Sequence, residues 1–175
     1  LGTKHDTARR YLDILCGSYM VRQVQPWFVN IGKRVVRSPK IYLRDSGIAH
    51  ALLGLRNKLQ VQMHPRLGFS WEGFVVEQII ALTGADNETF FYRTHAGAEL
   101  DLLVNRHGKA WGFECKYEDA PRTNKSMHSV IVDLSLEKLF IVTPGERSYP
   151  LTEKIDVVSL PDLVRTLERH ALMNT

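Results

Sequence analysis

The order of secondary-structure signals in the second half of the chain constrains the fold most strongly. The spacing of apolar residues predicts an amphipathic helix over residues 71–83, and Gly84 supplies a stop. Three short strands are predicted to follow, over residues 90–93, 99–104 and 110–116. A helical stretch through Leu134 then leads to an apolar strand over residues 139–142. This alternation of helices and strands predicts an α/β fold with a mixed central sheet flanked by helices.

The rest of the chain predicts a small, mostly helical N-terminal subdomain. A first helix is expected to begin at Asp6 or Thr7 and to stop at Gly17, and residues 40–43 have the character of a short strand. Residues 54–67 carry no clear periodicity, so we expect a boundary there and divide the chain into units of residues 1–60 and 61–175. Because residue 1 is a leucine, we expect the chain to be a fragment of a longer protein.

The composition excludes several broad classes of protein. No apolar run approaches the roughly 20 residues that a membrane-spanning helix needs, so we expect no membrane partner. The N-terminal residues are polar and basic, without the apolar core of a signal peptide. Cys16 and Cys115 lie far apart and belong to no cysteine or histidine cluster, which argues against a disulfide framework and a zinc site. A reducing cytoplasm fits these features best.

Positive charge is concentrated in the first third of the chain, although the net charge of +4 is only mildly basic. Five basic residues crowd into a dozen positions: Lys33, Arg34, Arg37, Lys40 and Arg44. Such a cluster is compatible with binding to the phosphates of a nucleic acid. A solvated loop without a ligand explains the same pattern equally well.

Two carboxylate residues lie in the predicted strands 99–104 and 110–116, which are joined by a turn at residues 105–108. Strand alternation places Asp101 on the same face as Glu99, and Glu114 on the same face as Lys116. The short turn predicts antiparallel pairing at about 4.8 Å, so Asp101 and Glu114 are expected to converge. Two carboxylates held together repel unless a cation lies between them, and hard oxygen ligands suit Mg²⁺ or Mn²⁺.

Two further residues complete the predicted site. Lys116 would place an ammonium group beside the metal, where it can orient water or offset negative charge in a transition state. Glu72 precedes Val75, Val76 and Ile79 at helical spacing and therefore shares their apolar stripe, which makes it a fourth member. Glu77 faces another direction, and we assign it to the surface or to helix pairing.

The order Glu72, Asp101, Glu114-Cys115-Lys116 resembles the helix glutamate, aspartate and E-x-K elements of the PD-(D/E)XK nuclease superfamily, over roughly residues 67–142. More narrowly, Ser38-Pro39-Lys40-Ile41-Tyr42 and Trp71-Glu72-Gly73-Phe74-Val75 resemble the domain of unknown function 4143. That domain stands at the C-terminal end of prokaryotic AAA-type ATPases. The narrower resemblance spans nearly the whole chain.

The resemblance implies a restriction-endonuclease-like fold, with Asp101 and Glu114 as metal ligands, Lys116 as the catalytic lysine and Glu72 as a supporting acid. It also implies that an ATPase module and most of a winged-helix element normally precede residue 1, the latter leaving a remnant in residues 1–60. The expected function is Mg²⁺-dependent hydrolysis of DNA. The alternative is a catalytically inactive nuclease-like module that binds nucleic acid or a protein partner for its ATPase. A nuclease acting on RNA is not separated from the first hypothesis.

Overall fold

The computed structural model describes residues 5–28 and 34–174. It contains seven helical segments: α1 His5–Gly17, α2 Ser46–Leu52, α3 Lys58–Met63, α4 Leu67–Thr83, α5 Lys125–Asp133, the 3-10 turn Leu160–Asp162 and α6 Leu163–Arg169. It contains eight strands: β1 Val21–Pro26, β2 Lys40–Leu43, β3 Thr89–Arg93, β4 Glu99–Arg106, β5 Lys109–Cys115, β6 Lys138–Thr143, β7 Tyr149–Pro150 and β8 Ile155–Ser159.

All eight strands join one mixed sheet in the order β2-β1-β3-β4-β5-β6-β8-β7. Strands β3, β4 and β5 form an antiparallel meander, which short turns allow. Strand β6 is parallel to β5, and helix α5 makes the crossover that a parallel connection requires. The predicted α/β fold with a mixed sheet flanked by helices is therefore confirmed.

The N-terminal segment contributes to the same sheet. Strand β1 pairs in parallel with β3 and antiparallel with β2, so β1 and β2 extend the meander at one edge. Strand β2 forms where the sequence indicates it, and Asp45 caps the helix α2 that follows by accepting a hydrogen bond from the backbone amide of Ile48. Helix α3 falls in residues 54–67, where no helix is predicted, because its six residues bury nothing and carry no apolar stripe. The division at residue 60 remains a prediction.

Apolar side chains cover both faces of the sheet. Helices α4 and α6 pack on one face, where the core includes Ile79, Leu102, Phe113 and Leu167. Helix α5 packs on the other face through Met127 and Val130, together with a second set of buried strand residues. The central strands are consequently buried on both sides, so their apolar runs do not alternate with polar residues.

The pairing of β3 with β4 shifts by one residue in the middle of the meander. Phe90 pairs with Leu103, whereas Tyr92 pairs with Leu100, so Asp101 and Leu102 together stand opposite the single residue Phe91. An extra residue of this kind is a β-bulge, which bends the strand and turns a side chain away from simple alternation. The bulge falls on the aspartate that the sequence marks as a metal ligand.

Glu77 of α4 is buried at the centre of an arginine cluster, so its assignment to the surface is wrong. Arg22 binds both of its carboxylate oxygens, with Nη2 at 3.2 Å from Oε2, and Arg44 Nε lies 3.2 Å from Oε2. Arg22 also contacts Asp86. Because Arg22 lies in β1 and Arg44 directly follows β2, these ion pairs tie the edge strands to α4.

Within the described part of the chain, no helix has the length and apolar character needed to cross a bilayer.

The burial pattern of α4 makes a prediction about stability. Ile79 on α4 is completely buried between the helix and the sheet, so Ile79→Ala should lower the free energy of unfolding by about 2–5 kcal/mol. Ile14 on α1 is 65% exposed, and Ile14→Ala should change it by less than about 0.5 kcal/mol. Urea denaturation followed by circular dichroism measures both changes. Equal effects of the two substitutions would contradict the described packing.

Candidate functional site

A cavity of about 790 Å³ opens where strands β4 and β5 meet the start of α4 and α5. Five of its lining residues carry carboxylates: the exposed Glu118, and Glu72, Glu99, Asp101 and Glu114, which are less exposed. Lys116, Arg122 and Asn124 lie on the same wall. The cavity thus brings together all four residues that the sequence predicts for the catalytic site, namely Glu72, Asp101, Glu114 and Lys116.

Asp101 is held between the two strands of the hairpin. Its Oδ2 atom accepts a hydrogen bond of 3.0 Å from the backbone amide of Cys115, and its Oδ1 atom lies 2.9 Å from the ammonium nitrogen of Lys40. Regular backbone pairing of β4 and β5 extends only to Leu102 and Phe113. The backbone amide of Cys115 therefore lies beyond the paired part of β4, and the side chain of Asp101 accepts its hydrogen bond. The carboxylate is fixed by a backbone donor on one side and a cation on the other.

Glu72, in the second turn of α4, approaches the cavity from the other side. Its Oε1 atom accepts a hydrogen bond of 2.5 Å from the hydroxyl of Tyr42 and lies 2.8 Å from Nζ of Lys40. Burial, followed by the charge of Glu72, raises the pKa of the Tyr42 hydroxyl above its usual value, so that Tyr42 remains a donor. Glu72 is therefore fixed by two donors from β2.

Lys40 connects the carboxylates. Besides Glu72 and Asp101, its Nζ atom lies 3.3 Å from Oε1 of Glu99, and its side chain is only 18% exposed. Burial opposes the positive charge of Lys40, but the charges of Asp101 and then Glu72 outweigh burial and raise the pKa of the ammonium above its usual value. Lys40 is consequently a permanent cation of this cluster.

Glu114 has the weakest cationic partner among these buried carboxylates. Its Oε2 atom lies 3.8 Å from Nζ of Lys116, whose side chain is 38% exposed, whereas the Glu114 side chain is almost fully buried. Burial, and after it the negative charge of Asp101, raises the pKa of Glu114 well above its usual value, and Lys116 and Lys40 offset this only in part. Glu114 is the group in the cavity that a further cation would stabilise most.

Asp101 and Glu114 come together for a different reason than the one predicted. Simple alternation places Leu100 and Leu102 on one face, but the bulge breaks that alternation, and Leu100 packs on the α5 side while Leu102 packs on the α4 side. The two carboxyl groups meet because regular pairing between the strands ends beside them. The predicted proximity is found in the structure, but the expected strict alternation along β4 is wrong.

The predicted nucleic-acid cluster is not one surface in the described residues. Lys40 is bound by the carboxylates, and Arg44 pairs with Glu77. Arg34 and Arg37 are exposed, and Lys33 lies outside the described residues. A role for these residues in binding nucleic acid stays a prediction.

Lys40, Tyr42 and Glu99 also belong to the carboxylate site, although the sequence does not predict them there. Alternation in β2 places Lys40 and Tyr42 on one face, and this pattern is the sequence signal that the two side chains point to the same place. Nothing in the sequence shows that β2 lies near α4 and β4, because 23 residues separate the end of β2 from the start of α4 along the chain.

The chemistry of the donors fits a hard divalent cation. Among residues 5–28 and 34–174, no three His, Cys, Asp or Glu side chains form a ready-made metal cluster. Asp101 and Glu114 nevertheless offer carboxylate oxygens to one cavity, and Mg²⁺ commonly takes only one or two protein carboxylates. When all groups are ionised, Glu72, Glu99, Asp101 and Glu114 carry one negative charge more than the cations paired with them, which are Lys40, Lys116 and Arg93. One divalent cation is enough to offset this excess.

Comparison with known proteins places the chain in a family. Residues 67–163 match the family described as Domain of unknown function (DUF4143), and residues 1–59 match a second, described as Domain of unknown function (DUF8612). Because the first match covers more than half of the chain, the chain belongs to the DUF4143 family. The predicted resemblance to that domain is confirmed.

Two relatives come from mycobacteria. An uncharacterised protein of Mycobacterium bovis and one of Mycobacterium tuberculosis are each 48% identical to the chain over 166 residues. These alignments cover 95% of the chain but 37% of each relative, so the chain spans little more than a third of their length. No solved structure matches the chain.

The buried charge of Glu114 predicts that removing it stabilises the fold. In metal-free buffer at pH 8, Glu114→Gln should raise the free energy of unfolding by about 1–3 kcal/mol, the usual cost of a buried polar group without full partners. A carboxyl group whose pKa is raised by folding stabilises the fold while it is protonated. This contribution is full below the unfolded pKa of about 4.3 and is lost as the pH rises through the folded value.

The gain in the free energy of unfolding of Glu114→Gln should therefore decrease as the pH is lowered from 8 towards 4.5. Urea denaturation at a series of pH values measures this decrease. Glu118 lines the same cavity but is exposed, so Glu118→Gln is the matched control and should have no such effect. A loss of stability in Glu114→Gln at pH 8 would show that the carboxylate is better satisfied than described.

Proposed function

We propose that this chain is a metal-dependent nuclease domain of the PD-(D/E)XK, restriction-endonuclease-like type, which hydrolyses phosphodiester bonds of DNA. The observation that carries the proposal is the convergence of Glu72, Asp101, Glu114 and Lys116 on one open cavity. These residues come from α4, β4 and the end of β5, in the order of the helix glutamate, the aspartate and the E-x-K element. Their common position on the wall of one cavity supports the proposal.

Each residue has a distinct task in the proposed reaction. Asp101 and Glu114 would hold Mg²⁺ or Mn²⁺, which supplies charge stabilisation and activation of water when bound. Lys116, the most exposed of the three, can donate to an oxygen of the scissile phosphate or orient the attacking water. Glu72 is held by Tyr42 and Lys40, and it can fix the position of water in the cavity.

The opening of the cavity suggests where the phosphate backbone enters. Arg122 lies on the cavity wall, is exposed, and forms no ion pair with any residue that the structure describes. Its guanidinium is therefore available for a phosphate, unlike those of Arg22 and Arg44, which bind Glu77. We assign Arg122 to contact with the substrate backbone next to Lys116.

We also propose that the domain belongs to a longer protein with an AAA-type ATPase module. The mycobacterial relatives extend over far more sequence than the chain covers, which leaves length for another domain. A cytoplasmic location and action on DNA are parts of the same proposal.

One observation favours a second candidate function. Lys40 already supplies a cation to Glu72 and Asp101, and the described residues contain no ready-made cluster of three metal-binding side chains. A network of this kind can be a purely structural remnant of a nuclease site. In that case the domain binds nucleic acid or a protein partner for its ATPase and hydrolyses nothing.

The nuclease proposal predicts cleavage that depends on both metal and site residues. With millimolar Mg²⁺ or Mn²⁺ the chain should cut labelled DNA, and Lys116→Ala and Asp101→Asn should each reduce the rate by roughly 100-fold or more, because each removes transition-state stabilisation. Lys109→Ala alters an exposed lysine of the same strand and should leave the rate unchanged. Rates are measured by gel electrophoresis of the products.

Cleavage without metal, or cleavage unaffected by Lys116→Ala, would contradict this assignment. Thermal denaturation separates the two candidate functions. Millimolar Mn²⁺ should raise the midpoint of the wild type but not that of Asp101→Asn, because a ligand that binds only the folded state stabilises it. Absence of any shift, together with absence of cleavage, would favour the non-catalytic module.

The assignment of Arg122 predicts weaker binding of nucleic acid on its removal. Arg122→Ala should raise the dissociation constant for labelled DNA about three- to tenfold and reduce the slope of log K against log[salt] by about one, since one phosphate contact is lost. Fluorescence anisotropy at several salt concentrations measures both quantities. Arg147→Ala, at an exposed position outside the cavity, is the control. Equal losses in the two variants would show that Arg122 contributes only general positive charge.

A further inference from the structure

We infer that Lys40 acts as a built-in second cation of the carboxylate site, so that the site takes one divalent ion rather than two. This inference rests on the proposed metal-dependent function and deepens it. It assigns Lys40 to the site itself, and removes it from the basic cluster with which its sequence position groups it. In this role Lys40 is a positioning residue, because it acts through the carboxylates that it binds.

The contacts of Lys40 show how firmly it is held. Its Nζ atom lies 2.8 Å from Glu72, 2.9 Å from Asp101 and 3.3 Å from Glu99, and so reaches three of the four carboxylates. The ammonium group donates hydrogen bonds to Glu72 and Asp101, and its contact with Glu99 is an ion pair. The same nitrogen lies 5.8 Å from the centroid of the Phe91 ring, within the range of a cation–π contact.

The backbone of Lys40 is also fixed. Lys40 begins β2 and pairs with Val24 of β1, while Tyr42, two residues later, points to the same site and donates to Glu72. The arginines that bind Glu77 tie β1 and β2 to α4. The position of the ammonium group is thus set by a paired strand of the sheet.

Lys40 binds residues of the cavity wall without lining the cavity itself. Glu72, Glu99, Asp101 and Glu114 all line the cavity, whereas Lys40 does not. Lys40 therefore neutralises Glu72, Glu99 and Oδ1 of Asp101 without occupying the cavity. Glu114, which Lys40 does not contact, remains for an ion entering from the cavity.

The balance of charge also favours a single divalent ion. With Lys40 present, the four carboxylates exceed Lys40, Lys116 and Arg93 by one negative charge, which one divalent ion is enough to offset. Without Lys40 the excess becomes two, and three carboxylates lose their shared partner. Since the repulsion of buried carboxylates grows when a cation is removed, the vacated position should then take a second divalent ion.

The experiment counts Mn²⁺ ions bound by the chain, with isothermal titration calorimetry and with electron paramagnetic resonance of free Mn²⁺. The wild type should bind one ion. Lys40→Met should bind two, and Lys40→Arg, which keeps the charge, should bind one. The double variant Lys40→Met with Glu72→Gln removes one charge of each sign and should return to one ion. A merely structural lysine would not raise the number of bound ions when removed.

Circular dichroism checks that each variant is folded. If Lys40→Met does not fold, Lys40→Gln replaces it, because its amide can still donate to Glu72 while lacking the charge. Two ions bound by the wild type, or one ion bound by a folded, uncharged Lys40 variant, would overturn the inference and leave the metal-dependent function standing. No Mn²⁺ binding by the wild type or any variant would overturn both.

Discussion

The structure around the cavity depends on one constraint, which is that four carboxylates are gathered at the point where regular pairing of β4 and β5 ends. Buried carboxylates are costly unless donors or cations satisfy them. Here the backbone amide of Cys115, the hydroxyl of Tyr42 and the ammonium of Lys40 satisfy Asp101 and Glu72. Glu114 is the exception, since Lys116 is 3.8 Å away. Strand β2 must therefore lie beside α4 for the carboxylates to remain together, and the arginines bound to Glu77 hold it there.

This arrangement links stability with the proposed chemistry. A carboxylate whose charge is poorly satisfied weakens the folded state and is at the same time ready to bind a cation, which is a common compromise at functional sites. Glu114 is such a group, whereas Asp101 and Glu72 are already fixed in position. The cavity thus combines pre-organised acids with one acid that has only a distant cation, and Arg122 lies on the same wall. That combination supports a site for a metal and a phosphate better than it supports a packed core.

Much of the central fold follows from local sequence. Helix α4 and strands β3 to β6 lie close to their predicted positions, because long apolar periodicity and Gly-containing turns specify them. Helix α3 and strand β7 were missed, because a six-residue helix that buries nothing and a two-residue strand leave no periodic signal. The four acidic and basic residues of the site were found from their spacing. The bulge at Asp101 was not, because it arises from pairing with Phe91 on another strand.

The sequence by itself therefore determined the α/β class, the family and the identities of Glu72, Asp101, Glu114 and Lys116, because these depend on short-range patterns. Tertiary structure alone decided the role of Lys40. Along the chain this lysine stands among other basic residues, and charge counting groups it with them. In the folded molecule the edge strand β2 carries it to three carboxylates from α4 and β4. Contacts between residues so far apart in sequence are set by how strands and helices pack, which no local spacing encodes.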